Sequence, residues 1–178
     1  MKDGFEVFIL REDMKILIAE AFIDLLEKES IDKITVKQLI EECQISRQTF
    51  YYHFRAIMEV LEWAVRRSAL EAAEQSLRAE THLDALRVFV DFVKTHKNKL
   101  DRLLNSKNWI QIEAILVESV AMYLGKMARS TFTDLEISYD DMEIMLQFYA
   151  SGIVGVLIHY NRQNQLDEEK IIRQIETT

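Results

Sequence analysis

Between Arg47 and His53 the chain gathers a guanidinium, a carboxamide, three hydroxyls and an imidazole around one phenyl ring. Gln48 can bridge the edge of an adenine, and Arg47 can bridge a guanine or hold a phosphate. The Thr49 methyl can meet the methyl of a thymine, and the Tyr51 and Tyr52 hydroxyls can reach phosphate oxygens. Such a set recognises rather than transforms, and only if one surface presents it whole. Its neighbours Ile45, Phe50 and Phe54 must therefore anchor the segment from behind.

Charge sharpens the question, because the chain of 178 residues carries a formal −8. Residues 1 to 32 hold Lys2, Arg11, Lys15 and Lys28 against nine acids, a balance of −5. Residues 33 to 55 hold Lys33, Lys37, Arg47 and Arg55 against Glu41 and Glu42, a balance of +2. Residues 56 to 178 return to −5, with 14 basic and 19 acidic groups. The positive island thus coincides with the polar segment, and a balance of +2 suits a solvated helix face as well as a polyanionic partner.

The elements that would position it are helical. There is no proline and there are only four glycines, and 49% of residues are hydrophobic, enough to bury a core. Met14, Leu17, Ile18, Ala21, Phe22, Leu25 and Leu26 follow the i, i+3, i+4 spacing of an amphipathic helix over residues 12 to 28. A second helix opens at Thr35, whose hydroxyl can cap the backbone while Gln38 reaches back to close a capping box, with Ile34 stapling onto Leu39. Its inner face would be Val36, Leu39, Ile40 and Cys43. Ser46 caps a third helix, Ile45 stapling onto Phe50, so that "CQIS" leaves room only for a tight helix-turn-helix. At 100° per residue Phe50 and Phe54 share the inner face, and Gln48 and Tyr52 lie nearly opposite, flanked by Thr49 and Tyr51. The capped starts of both short helices would also aim backbone N–H groups outward, where phosphate binds without side-chain charge.

"ITVKQLIEECQISRQTFYYHF" resembles the N-terminal DNA-binding region of TetR-type transcriptional regulators, and the likeness runs from about Glu12 to Glu62. It implies backbone contacts from Thr35 and Lys37, base or phosphate contacts from Arg47, Gln48, Thr49 and Tyr52, and phosphate contacts from Tyr51 and His53, with Arg55 beside them. Three departures stand out. Where the family places glycine in a left-handed turn stands Gln44, at a cost of about 1 kcal/mol. Ala56 and Ile57 replace a small polar cap and a phosphate-binding lysine, and the first helix is acidic.

Further helical patterns cover residues 57–80, 83–95, 99–105, 109–129, 139–161 and 168–176, giving an all-α chain of about nine helices. The expected division is a helix-turn-helix head, 1–56, and a helical body, 57–178. The helix after Tyr139 is apolar almost all round and so reads as buried on every side. Its "FYASGIVGVLIHY" resembles the penultimate helix of a TetR subgroup that includes regulators of dihydroxyacetone kinase operons. That resemblance implies a homodimer through the last two helices, built on Phe148, Gly152, Gly155, Val156, His159, Ile171, Ile172 and Ile175. Phe89, Phe92, Trp109, Met122, Tyr123 and Phe148 are candidates to line a pocket for a small apolar effector. A protein co-regulator would serve in its place in some members.

The remaining chemistry is excluded by spacing. His53, His82, His96 and His159 show no ligand pattern for a metal, no glycine-rich phosphate loop or nucleophile elbow occurs, and no cofactor or enzymatic activity is expected. Cys43 has nothing to pair with in the chain and reads as a small buried apolar residue. "MKDGFEVFIL" lacks the form of a signal peptide, and "FYASGIVGVLI" is about half the roughly 20 residues a membrane span needs, so a cytoplasmic, membrane-free protein is expected.

Overall fold

The computed structural model describes residues 2–131 and 137–162. It contains eight helices in this order: α1 Lys2–Lys28, α2 Val36–Glu42, α3 Arg47–His53, α4 Ile57–Ser76, α5 His82–Thr95, α6 Lys97–Leu104, α7 Trp109–Thr131 and α8 Tyr139–Arg162. No strand occurs among the described residues, and the fold class is all-α. The ninth expected helix, with Ile171, Ile172 and Ile175, lies outside the described residues. The chain forms two compact units, Met1–Ala64 and Val65–Thr178, the division falling inside α4.

In the first unit α1 begins at Lys2, ten residues before the clear periodicity at Glu12. From Glu12 onward Ile18, Ala21, Phe22 and Leu26 are buried as the spacing predicts, whereas Leu17 is exposed. Ile31 and Ile34 from the turn, Leu39 from α2, Phe50 and Phe54, and Val60 and Leu61 from α4 complete this core. Phe54 is the hinge of an aromatic chain. Its ring lies 6.2 Å from Phe50 and 6.3 Å, edge to face, from Trp63, over which Lys15 sits at 6.0 Å.

In the second unit α4 ends at Ser76, four residues short of the expected 80. The backbone tightens there, with Arg78 donating to the Gln75 carbonyl and Ala79 to that of Ser76. The turn lets the buried Ser76 hydroxyl donate to the Ala85 carbonyl of α5, 3.3 Å away, while Tyr123 of α7 donates to Ser76 Oγ at 2.9 Å. Burial raises the Tyr123 phenol, and the bond to Ser76 offsets this in part. Around that bond Ala72, Ala73 and Tyr123 form a core against which Phe89, Phe92, Leu124 and Met127 pack. Two ion pairs also join α4 to α7, Arg66–Glu118 at 2.7 Å and Glu74–Lys126 at 2.8 Å.

α8 corrects the expectation of burial on every side. Among its described residues only Ala150 and Val154 are buried, while Tyr139, Ile144, Phe148, Tyr149 and Val156 are exposed. Its close neighbour is α7: a Cβ at Gly125 would meet Leu146 Cδ1 at 3.3 Å, so the absent side chain lets the two helices approach. The two glycines of α8 serve no such purpose, because a Cβ at Gly152 or Gly155 would meet nothing within 4 Å. By length and composition alone the 21 residues Tyr139–His159 are sufficient to cross a membrane, which the shorter stretch considered in the sequence is not.

Phe50 has no exposed surface and lies in the core that holds the two short helices of the first unit. Phe50→Ala is expected to destabilise that unit by about 3–5 kcal/mol, and Tyr52→Ala, two residues on and outward-facing, by less than about 1 kcal/mol. Urea unfolding of the two variants measures the difference, and equal losses would refute the assignment of inner and outer faces.

Candidate nucleic-acid interface

Two seven-residue helices are too short to stand alone in water, so their ends must be satisfied locally. At α2 the expected capping box is present: Gln38 N–H donates to Thr35 Oγ1 at 3.2 Å, and Thr35 N–H donates to Gln38 Oε1 at 2.7 Å. The Gln38 amide is itself held, Nε2 donating to Glu29 Oε1 at 2.8 Å. At the other end of α2 the Gln44 N–H donates to the Glu41 carbonyl at 3.3 Å and the Ile45 N–H to that of Ile40 at 3.1 Å. This pair of bonds is the Schellman arrangement, and it needs a left-handed residue just past the cap. That residue is Gln44, with φ of 52°, the position where glycine would be free of strain.

Three residues later α3 starts. Ser46 Oγ accepts the Thr49 N–H at 2.9 Å and lies 2.8 Å from Thr49 Oγ1, so the helix is closed at its first turn. Phe54 closes it at the last, its N–H donating to the Phe50 carbonyl at 2.9 Å in an extended conformation that forces the chain away. With both ends tied and Phe50 and Phe54 buried, the opposite side of α3 has no choice but to face outward. Tyr52 is 63% exposed, and Arg47, Gln48 and Tyr51 are exposed with it.

Three of the outward groups, Arg47, Tyr51 and Tyr52, are partly pre-positioned. The Arg47 guanidinium lies 5.4 Å from the centre of the Tyr51 ring, a cation–π distance that orients both. Tyr52 meets the edge of His53 at 5.0 Å, and His53 is half-buried. Thr49 is half-buried and engaged with its cap. Lys37 is exposed on α2 but 3.7 Å from Glu41, a pair worth at most about 1 kcal/mol in water and easily given up to a phosphate. Thr35 and Arg55 are exposed. Ala56 supplies no side-chain cap to α4, and the Glu59 carboxylate instead accepts the Arg55 N–H at 2.7 Å. Cys43 is half-buried with Sγ 3.8 Å from the Leu17 carbonyl, and burial, reinforced by Glu42, pushes its thiol up and keeps it protonated.

The six residues singled out for a pocket do not come together. Phe89, Phe92 and Tyr123 meet in the α4–α5–α7 core, with Phe89 and Tyr123 rings 5.0 Å apart, and Met122 is half-buried outside that cluster. Trp109 is exposed, and Phe148, 74% exposed, belongs to the outer face of α8. On that face Ile144, Phe148, Gly152, Gly155, Val156 and His159 recur every three or four residues as one exposed stripe.

The −5 balance of residues 56–178 conceals a second positive run. Lys94, Lys97, Lys99, Arg102 and Lys107 stand against Asp101 alone, a balance of +4 from the last turn of α5 through α6 to the turn before α7. A sliding count over about 14 residues reveals it.

Residues 80–178 match the family model TetR_C_8, described as "Transcriptional regulator C-terminal region". Among solved structures, "Dihydroxyacetone kinase operon activator DhaS" superposes with a TM-score of 0.61 at 21% identity, over 92% of this chain and 92% of that one, a likeness of fold. No curated protein matches in sequence.

The left-handed turn generates a direct test. Gln44→Gly removes the steric cost of a side chain at positive φ and is expected to stabilise the first unit by up to about 1 kcal/mol, while Ser46→Ala is expected to cost about 1 kcal/mol by loss of the α3 cap. Thermal melts of the two variants should move in opposite directions, and a Gln44→Gly variant less stable than the parent would contradict the strain assigned to this turn.

Proposed function

Because this chain belongs to the TetR family of transcriptional regulators, we propose that it regulates transcription by binding a palindromic double-stranded DNA operator as a homodimer, through residues 35–54. The observation that carries this reading is the outer face of α3. A helix of seven residues capped at both ends and pinned by Phe50 and Phe54 turns Arg47, Gln48, Tyr51 and Tyr52 together toward solvent. That is the shape and chemistry a major groove accepts. Gln48 and Thr49 meet bases, Arg47 and Tyr52 bases or phosphates, and Tyr51, His53, Thr35, Lys37 and Arg55 the backbone. Recognition needs no net positive protein, because charges beyond about 8 Å are screened at physiological ionic strength.

The exposed stripe of α8 supports the homodimer. An apolar face of that size on a soluble helix needs a cover, and the open space at Gly152 and Gly155 leaves the backbone accessible to a second copy's helix. Residues 168–176, with Ile171, Ile172 and Ile175, complete the interface in this reading. The helical body 57–178 senses a small apolar effector or a protein co-regulator, and the protein works in the cytoplasm without a membrane. A co-regulator that keeps the fold but grips DNA weakly is the second reading. It is favoured by Ala56 and Ile57, which leave the start of α4 without a side-chain cap or a lysine, and by the Glu59 carboxylate placed there instead.

Gel shift and footprinting on duplexes from beside its own gene distinguish the two. The operator reading expects a protected palindrome with half-sites about one helical turn apart, and loss of specific binding in Gln48→Ala and Tyr52→Ala with helicity and dimer intact. Unchanged affinity in both variants, or no protected palindrome at low salt alongside a tight protein partner, would transfer the case to the second reading. For the dimer, Gly155→Leu is expected to raise helix propensity by several tenths of a kcal/mol while blocking close approach. A folded protein that sediments as a monomer is the expected outcome, and a dimer of undiminished strength would remove α8 from the interface.

A further inference from the structure

The hydroxyl of Thr49 is already committed within the protein. Its Oγ1 lies 2.8 Å from Ser46 Oγ, the atom that also accepts the Thr49 N–H at 2.9 Å, so hydroxyl and amide are gathered into one cap. A β-branched residue has few χ1 choices in a helix, and for threonine the oxygen's partner decides among them. With Oγ1 held by Ser46, the position of Cγ2 is fixed as well. That methyl is the part of Thr49 the cap does not use. On a 100° wheel Thr49 lies about 60° from Tyr52, the most exposed residue of α3, and next in sequence to the exposed Gln48.

Resting on the reading of α3 as the base-contacting helix, we propose that Thr49 determines specificity through its methyl group, seating it against the C5 methyl of one thymine in each half-site. The major groove displays that methyl at every A·T pair and at no G·C pair. The cap supplies the order that makes the contact selective, since a threonine free to rotate could offer its hydroxyl to several bases. Ser46 is then a positioning residue for recognition as well as the start of a helix.

The test uses the full-length chain and a duplex it enriches from a randomised library. Each thymine of one half-site is replaced in turn by deoxyuridine, which removes only the C5 methyl. Wild type should lose about fourfold in affinity at one position, the equivalent of exposing one methylene-sized group at about 0.8 kcal/mol, and little elsewhere. Thr49→Val, which keeps the methyl and loses the hydroxyl, should retain that thymine-to-uracil ratio. Thr49→Ser, which keeps the hydroxyl and loses the methyl, should bring it to about one. Because the ratio is taken within each variant, lost stability does not enter it, and should Thr49→Val fail to fold, Thr49→Ser alone decides. A ratio lost in Thr49→Val, a ratio kept in Thr49→Ser, or a wild type indifferent to uracil throughout a sequence it selects would overturn the proposal while leaving the operator reading intact. A wild type that enriches no sequence overturns the operator reading itself.

Discussion

The burial of Phe50 is the constraint on which the first unit turns. One ring with no exposed surface sits at the fourth position of a seven-residue helix, and full burial of such a side chain contributes roughly 1.5–3 kcal/mol over leaving it in water. Helices of this length do not persist by propensity. With Phe50 fixed and Phe54 one turn later, the azimuth of every other residue on α3 is set, and the polar side chains become a surface by default. The caps at Thr35 and Ser46 then determine where each helix begins, so that four residues, Cys43 to Ser46, are enough to connect them.

These features were legible because they are local. A threonine followed three residues later by glutamine, and a serine preceded by isoleucine, encode hydrogen bonds within one turn, and the bonds formed as the spacing required. The left-handed turn was legible only through its family resemblance, since nothing about glutamine announces positive φ. Its φ of 52° shows that the Schellman bonds outweigh a steric cost of about 1 kcal/mol. Charge was the poorer guide. The +4 run from Lys94 to Lys107 exceeds the +2 of residues 33–55, so a search for the most basic segment would have chosen the body and missed the capped helix.

What the sequence could not convey was which molecule covers an apolar surface. α8 is as greasy as a core helix, and composition alone predicts burial, yet only Ala150 and Val154 are covered among its described residues. Hydrophobicity states that a face must be removed from water and leaves open by what. The pocket candidates divide for a related reason. Aromatic residues at helical spacing divide between a packed core, as Phe89, Phe92 and Tyr123 do, and an outer face, as Phe148 does. Spacing within one helix does not distinguish these, because the distinction depends on where its neighbours lie.

The pairing of α4 with α7 shows weak and strong contacts dividing a task. Arg66–Glu118 and Glu74–Lys126 are spaced eight residues apart on both helices, so the two run in the same direction with one register. Each pair lies at the surface, where water screens it and its contribution is small. Their polarity is opposed, however, and a slip of two turns would set Arg66 against Lys126, turning attraction into repulsion. Between them the ion pairs specify alignment, and the buried Tyr123–Ser76 bond makes departure from it costly, since a buried hydroxyl left without a partner loses about 1–3 kcal/mol. Ser76 is also the residue at which α4 stops and the chain turns toward α5. One hydroxyl thus ties the end of α4 to both of its neighbours, and any rearrangement of α4 within this unit must first release it.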